Sequence, residues 1–276
     1  YITNDSALAI DGTATFGAAA NDSFIHATSL TVNQAVNATG SFTLQANNDA
    51  LNAGNDLTVA ADVKSSGGNV TLNAGDNFSQ TAGTISGATV ALNANLDGTG
   101  DAVDGAISQS AGSISTASLT AQADGINLLS LTNAYSAFSA VNGATGVINV
   151  FDTGGLTLGA VTQSGTLVGI NSTGSITQSA ALSKGAGAGF GLVVTSTSGS
   201  INLDLGNDIG NGEIDLASNA ISPANAAITF ASAGNLHVGI VNTAGTATLQ
   251  AVAAIDQTAG ALHGIQRSSV RAKGRR

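Results

Sequence analysis

Residues Phe78 to Ala94, FSQTAGTISGATVALNA, come back at Ile107 to Ala123 as ISQSAGSISTASLTAQA, at an offset of 29 residues with no gap. Eight of the seventeen positions are identical, among them Gln80/Gln109, Gly83/Gly112 and Ile85/Ile114. Most of the others keep their physical type, as in Phe78/Ile107 and Val90/Leu119. A unit this short cannot bury its own apolar face, so copies must stack to build a continuous core.

The local pattern is that of strands. In Phe42/Leu44, Leu57/Val59 and Val70/Leu72 the apolar residues alternate with polar ones, a period of two with one buried face. Thr89-Val90-Ala91-Leu92 follows Asn69-Val70-Thr71-Leu72 after 20 residues. We read 20 as one bare coil, and 29 as a coil carrying the turn-rich insertion Asn95 to Gly105. Residues 126–141 are the least repetitive and could hold a short helix. Lys184 to Gly191 reads as a corner. The motif returns at Ile255-Asp256-Gln257-Thr258-Ala259-Gly260, with Leu262 aligned on Ile85 and His263 on Ser86. Arg267 would then take an inward position, which is costly for a charge. The repeat is therefore expected to end near 265, leaving 266–276 as a basic, disordered tail.

Composition agrees with a narrow stack. Charged residues are 9% and aromatics 4%, so the interior must be Ala, Val, Ile and Leu, and surface polarity must come from Ser, Thr, Asn and Gly. Residues 1–266 hold two Lys against seventeen acids, a net of −15, while five of the seven basic residues lie in the last ten positions. That acidic body disfavours nucleic acid as a partner. There is no Cys to form disulfides or thiolate metal sites. No run of eighteen apolar residues could span a bilayer as a helix. Met is absent and no leader-like segment opens the chain, so a piece of a longer exported protein is expected.

Short strands and turns could also build a β-sandwich, but a sandwich gives no reason for a fixed-offset repeat. The expected fold is all-β, a right-handed parallel β-helix over 1–265. Its Ile-x-Gln-Ser/Thr-Ala-Gly units, followed by Leu-x-Ala strands, resemble the β-helical repeats of filamentous-haemagglutinin-type exoproteins. The resemblance implies a passenger segment of a bacterial surface or secreted adhesin, exported by two-partner secretion or as an autotransporter and located outside the cell or at the outer membrane. Host-cell or extracellular surface ligands would be its partners, with lateral self-association possible. The Asn-Pro-Asn secretion motif of that family is missing from this stretch, whose single Pro is Pro223.

Candidate chemistry is sparse. Gln80, Gln109, Gln163, Gln178 and Gln257 occupy one place in the motif, where stacked amides could form a ladder. Asp97, Asp101 and Asp104 in a Gly-rich loop are weak calcium candidates, although turn-forming Asp explains them as well. Asp204, Asp208, Glu213 and Asp215 form a second acidic cluster. His26, His237 and His263 are isolated in sequence. A polysaccharide lyase or glycoside hydrolase is the rival class, since β-helices can carry paired carboxylates. With two Lys and no Arg before Arg267, we expect no enzyme, no catalytic residues and no cofactor. Thr-x-Thr pairs exist at Thr13/Thr15, Thr195/Thr197 and Thr246/Thr248 but share no period, which argues against an ice- or mineral-binding array.

Overall fold

The computed structural model of the chain describes residues 2–17, 23–46, 54–95, 105–257, 262–263 and 271–272. They form a parallel β-solenoid of about 11 turns. Among the described residues the helical content is one 3-10 turn, Pro223–Asn225. Contacts divide the chain into two compact units, Tyr1–Tyr135 and Ser136–Arg276. In each, strands alternate between two parallel sheets, here sheet I and sheet II.

In the first unit, one turn consists of Leu57–Val59 in sheet II and then Val63–Ser65 and Val70–Asn73 in sheet I. The next turn repeats this with Phe78–Gln80, after which both sheet I segments merge into one strand, Thr84–Asn93. Register is strict. Phe42, Val70, Val90 and Leu119 stand above one another, as do Leu57, Phe78, Ile107 and Ile126. All eight are no more than 1% exposed. Val70 to Val90 is a bare turn, and Val90 to Leu119 carries the insertion, whose ends meet where Gly105 packs on the Asn95 side chain. Alternation produces this core directly. Inward side chains lie on like side chains one rung away, while the backbone between them is hydrogen-bonded along the stack.

The Gly of the repeated motif has a defined role. Gly83 turns the chain from sheet II to sheet I at φ +73, and a Cβ there would lie 2.2 Å from the Ala61 carbonyl carbon of the preceding rung. Gly112, one rung on, has φ +82 and meets the Gly83 carbonyl oxygen in the same way. Rungs can stack at strand spacing here only because this corner lacks a side chain.

The second unit stacks Val147–Asp152, Leu167–Ser172, Gly191–Ser196, Glu213–Ser218 and Leu236–Thr243 in sheet II. Its inward columns are Ile148–Val168–Leu192–Ile214–Val238 and Val150–Ile170–Val194–Leu216–Val241, none of them more than 3% exposed. A third column, Asp152–Ser172–Ser196–Ser218–Thr243, is buried and polar. Its hydroxyls donate to turn carbonyls: Ser172 to Gly154 at 2.6 Å, Ser196 to Gly174 at 2.8 Å, Ser218 to Gly199 at 2.7 Å, and Thr243 to Ala226. Several also accept a turn N–H, as Ser196 does from Gly199 at 2.8 Å. These bonds satisfy backbone groups that the corners take out of the ladder.

Two local expectations change. Residues 126–141 hold no helix but the strands Gly125–Leu128 and Ala134–Asn142. Tyr135, Phe138 and Ala140 point inward, and Leu129 and Leu131 are pushed out at the turn between the strands. Leu262–His263 pairs with Val241–Asn242 in sheet II, so His263 is not a sheet I equivalent of Ser86. Arg271–Ala272 pairs with Gln250–Ala251; the other residues of the basic segment 266–276 lie outside the described residues. The corner expected at 184–191 is present, with Phe190 buried inside it.

Gly83→Val should lower unfolding free energy by at least about 2 kcal/mol, from left-handed strain and the backbone clash. Gly12→Ala, where nothing lies within 4 Å, should be close to neutral. Urea unfolding of both variants measures the contrast.

Candidate functional site

The motif glutamines do stack, but in short runs. Gln80 sits at the end of a sheet II strand, and its Nε2 donates to the Gly83 and Ser113 carbonyls, both at 3.0 Å. Gln109, in register one rung away, donates to Gln80 Oε1 at 2.9 Å and to Asn133 Oδ1 at 3.0 Å. Asn133 returns a bond from Nδ2 to Gln109 Oε1 at 2.8 Å, and its Oδ1 also accepts the Ile114 N–H at 2.9 Å. The run therefore ends in an Asn.

The second unit uses the same device in sheet I. Gln178 Nε2 donates to Asn207 Oδ1 at 2.9 Å, and that oxygen also accepts the Leu182 N–H at 2.8 Å. Gln163 accepts from Asn142 and donates to the Leu167 carbonyl at 2.6 Å. So the five glutamines do not share one column. Gln80, Gln109 and Gln257 are in sheet II, and Gln163 and Gln178 are in sheet I. Gln257 stands opposite Val238 and is exposed. The partner residues Asn133 and Asn207 were missed because they do not look like the motif. Their only signal is a spacing near one turn, 24 residues from Gln109 and 29 from Gln178.

Several of the described acids serve turns. Asp76 Oδ2 accepts the Gly54 and Asn55 N–H groups, and Asp152 Oδ2 accepts that of Gly154 at 2.8 Å. Asp62 accepts the Thr84 N–H at 2.8 Å and pairs with Lys64 at 2.6 Å. The hydrogen bond from Lys64, aided by the Thr84 amide, holds its carboxyl below the usual carboxylate range. Asp97, Asp101 and Asp104 lie outside the described residues. No group of three or more His, Cys, Asp or Glu among the described residues is arranged to hold a metal ion.

The second acidic cluster comes apart in the fold. Asp204 lies in an irregular part of sheet I, and Asp208 is at a corner, accepting the Gly210 N–H at 3.1 Å. Glu213 and Asp215 stay together on the outer face of sheet II. A Cβ at Gly239 would be 2.4 Å from Glu213 Oε1 and 2.4 Å from Asp215 Oδ1, so both carboxylates lean over one glycine. A register shift between Ile214 and Leu216 makes that room, and the Ile240 N–H donates to Asp215 at 2.7 Å. His237 is the register partner of both Glu213 and Asp256, and its Nδ1 lies 2.6 Å from Asp256 Oδ1. Glu213, Asp215, His237 and Asp256 thus lie on neighbouring rungs of sheet II, and His237–Asp256 was not legible as a pair beforehand. His26 is elsewhere, on the outer face of sheet I between Thr3 and Gln45.

Chemically, two carboxylates over one site with a His–Asp pair beside them are enough for proton transfer. They lie on an open strand face: the Asp256 side chain is 57% exposed. No family model, no curated protein and no solved structure matches this chain.

Asn133→Leu should destabilise the first unit by about 1–3 kcal/mol, because it orphans the buried Ile114 N–H, while Gln109 keeps its bonds to Gln80 and the Ser130 N–H. Gln122→Ala, on the exposed face, should stay within about 0.5 kcal/mol of the parent. Denaturant titration of the two variants separates a structural amide stack from a dispensable one.

Proposed function

We propose that this chain is a structural and adhesive passenger segment of a secreted or surface-displayed bacterial protein, a stiff display element outside the cell. The observation that carries this reading is the in-register parallel ladder within each unit, capped at its corners by buried side-chain bonds. Such a ladder resists local opening, because each strand is held by neighbours on both sides. Low outward charge fits a surface that meets other surfaces rather than nucleic acid. The resemblance of the Ile-x-Gln-Ser/Thr-Ala-Gly units to filamentous-haemagglutinin-type repeats supports the same role and an extracellular location. Lateral association of charge-poor strand faces belongs to this reading too.

Before residue 267 trypsin has only Lys64 and Lys184 to cut, and both lie in ladder strands. The body should therefore survive trypsin under native conditions, and beads coated with it should still attach to epithelial cells better than albumin-coated beads. Rapid cleavage at Lys64 or Lys184 would overturn the rigid-scaffold part, and attachment no better than albumin the adhesive part.

A second reading, a polysaccharide-degrading enzyme, is favoured by one observation, the convergence of Glu213 and Asp215 beside His237. Two carboxylates facing one glycosidic bond are the minimum for hydrolysis. If this reading holds, the chain should shorten an acidic polysaccharide, measured as new reducing ends, and Glu213→Gln should lower the rate at least about 100-fold. Absence of any reducing-end release from a panel of uronate polymers would remove it.

A further inference from the structure

A groove in the second unit has two polar lining side chains, Asp204 and Gln250, that the described fold leaves without a partner. In sheet I, the strand Ile201–Asn207 pairs Leu203 with Phe230 and next Asn207 with Ser232. Asp204, Leu205 and Gly206 therefore stand opposite Ala231 alone, and the chain turns at Gly206 with φ +68. This excursion is pinned at its base. Asn207 Nδ2 donates to the carbonyls of Leu203 at 2.9 Å and Ala231 at 3.1 Å, and the Leu205 N–H donates to Gln178 Oε1 at 3.3 Å. The result is a fixed shelf over the outer strand face, bordering a groove of about 480 Å³ lined by Asp204, Gly206, Ala231, Ser232, Gln250, Ala251 and Val252, where the Ser232 hydroxyl is already donated to the Asn235 carbonyl at 2.9 Å.

The lining is chemically specific. The Asp204 carboxylate and the Gln250 carboxamide are exposed and make no hydrogen bond or ion pair with any described residue. Val252, 66% exposed, together with Ala231 and Ala251 gives the site an aliphatic side. A purely apolar ligand would leave both polar groups desolvated and unpaired. An anion would be repelled by Asp204. A polycationic segment would find one carboxylate and no second acid in the lining. A ring that carries hydroxyls on its edge and C–H groups on its face matches every part. The carboxylate accepts from two neighbouring hydroxyls, the amide donates and accepts in one plane, and the aliphatic residues cover the C–H face. The volume lies in the range of small-molecule sites.

We propose that this groove binds a neutral saccharide, with Asp204 and Gln250 as its hydrogen-bonding residues and Asn207 as the residue that positions the shelf. This goes beyond the scaffold reading and stands independently of it.

The test is amide-resolved NMR of the full chain titrated with cellobiose, lactose and diacetylchitobiose at millimolar concentrations. At least one should shift amides confined to residues 204–206, 231–232 and 250–252. Asp204→Asn and Gln250→Ala should each weaken that binding about tenfold while leaving the remaining spectrum unchanged. A glucuronate-containing disaccharide should bind more weakly than its neutral counterpart. The proposal is overturned if none of the neutral sugars moves these amides, if the two variants bind as the parent does, or if the acidic sugar or an oligolysine peptide binds more tightly. Failure here leaves trypsin resistance and bead attachment untouched.

Discussion

Parallel hydrogen bonding between identical positions of successive rungs is the constraint from which the remaining structure follows. A parallel ladder leaves no freedom of register once one side chain per rung is fixed inside, because a slip of one residue would turn the inward set outward. Phe42, Val70, Val90 and Leu119 are one such set. The neighbouring rung dictates what each position can be: large and apolar where columns face in, absent where corners touch. Gly83 and Gly112 show the second case, since no Cβ fits against the backbone of the rung before.

A stack of this kind has a problem at its corners, where the backbone leaves the ladder but remains partly enclosed. Two solutions recur. Hydroxyls from Ser172, Ser196, Ser218 and Thr243 bond turn carbonyls of the adjacent rung. Amides of Gln80, Gln109 and Gln178 bond turn backbone and a neighbouring amide together. Both are short, uncharged side chains that can donate and accept, which is why a chain with so few charges can still satisfy its interior. The acids follow the same logic, as at Asp76 and Asp152, where the carboxylate collects turn N–H groups.

The two proposed ligand-facing sites both lie where the ladder departs from regularity. The register shift at Gly239 gathers Glu213 and Asp215, and the three-residue excursion at Asp204–Gly206 builds a groove from an otherwise flat face. Both are tied to the amide and bulge geometry of the scaffold rather than to separate loops. Asn207 is the clearest instance, since it completes the Gln178 stack and also holds the shelf.

How much of this was legible beforehand follows from what repeats. The sequence by itself determined the parallel stack, the inward residues Phe78, Ile85, Val90 and Leu92, and the insertion between Asn95 and Gly105. Period and offset encode exactly those features, since a residue's neighbour in the core is another copy of itself. It also pointed to stacked amides, because Gln recurs in the motif. Only the tertiary structure decided where those stacks begin and end, because Asn133 and Asn207 join from outside the motif. It likewise separated Asp204 and Asp208 from Glu213 and Asp215, and brought His237 to Asp256. Residues that lie close together in the sequence fell on different faces, while residues about one turn apart met. In a solenoid, proximity is set by rung register, and register depends on every corner length between two residues.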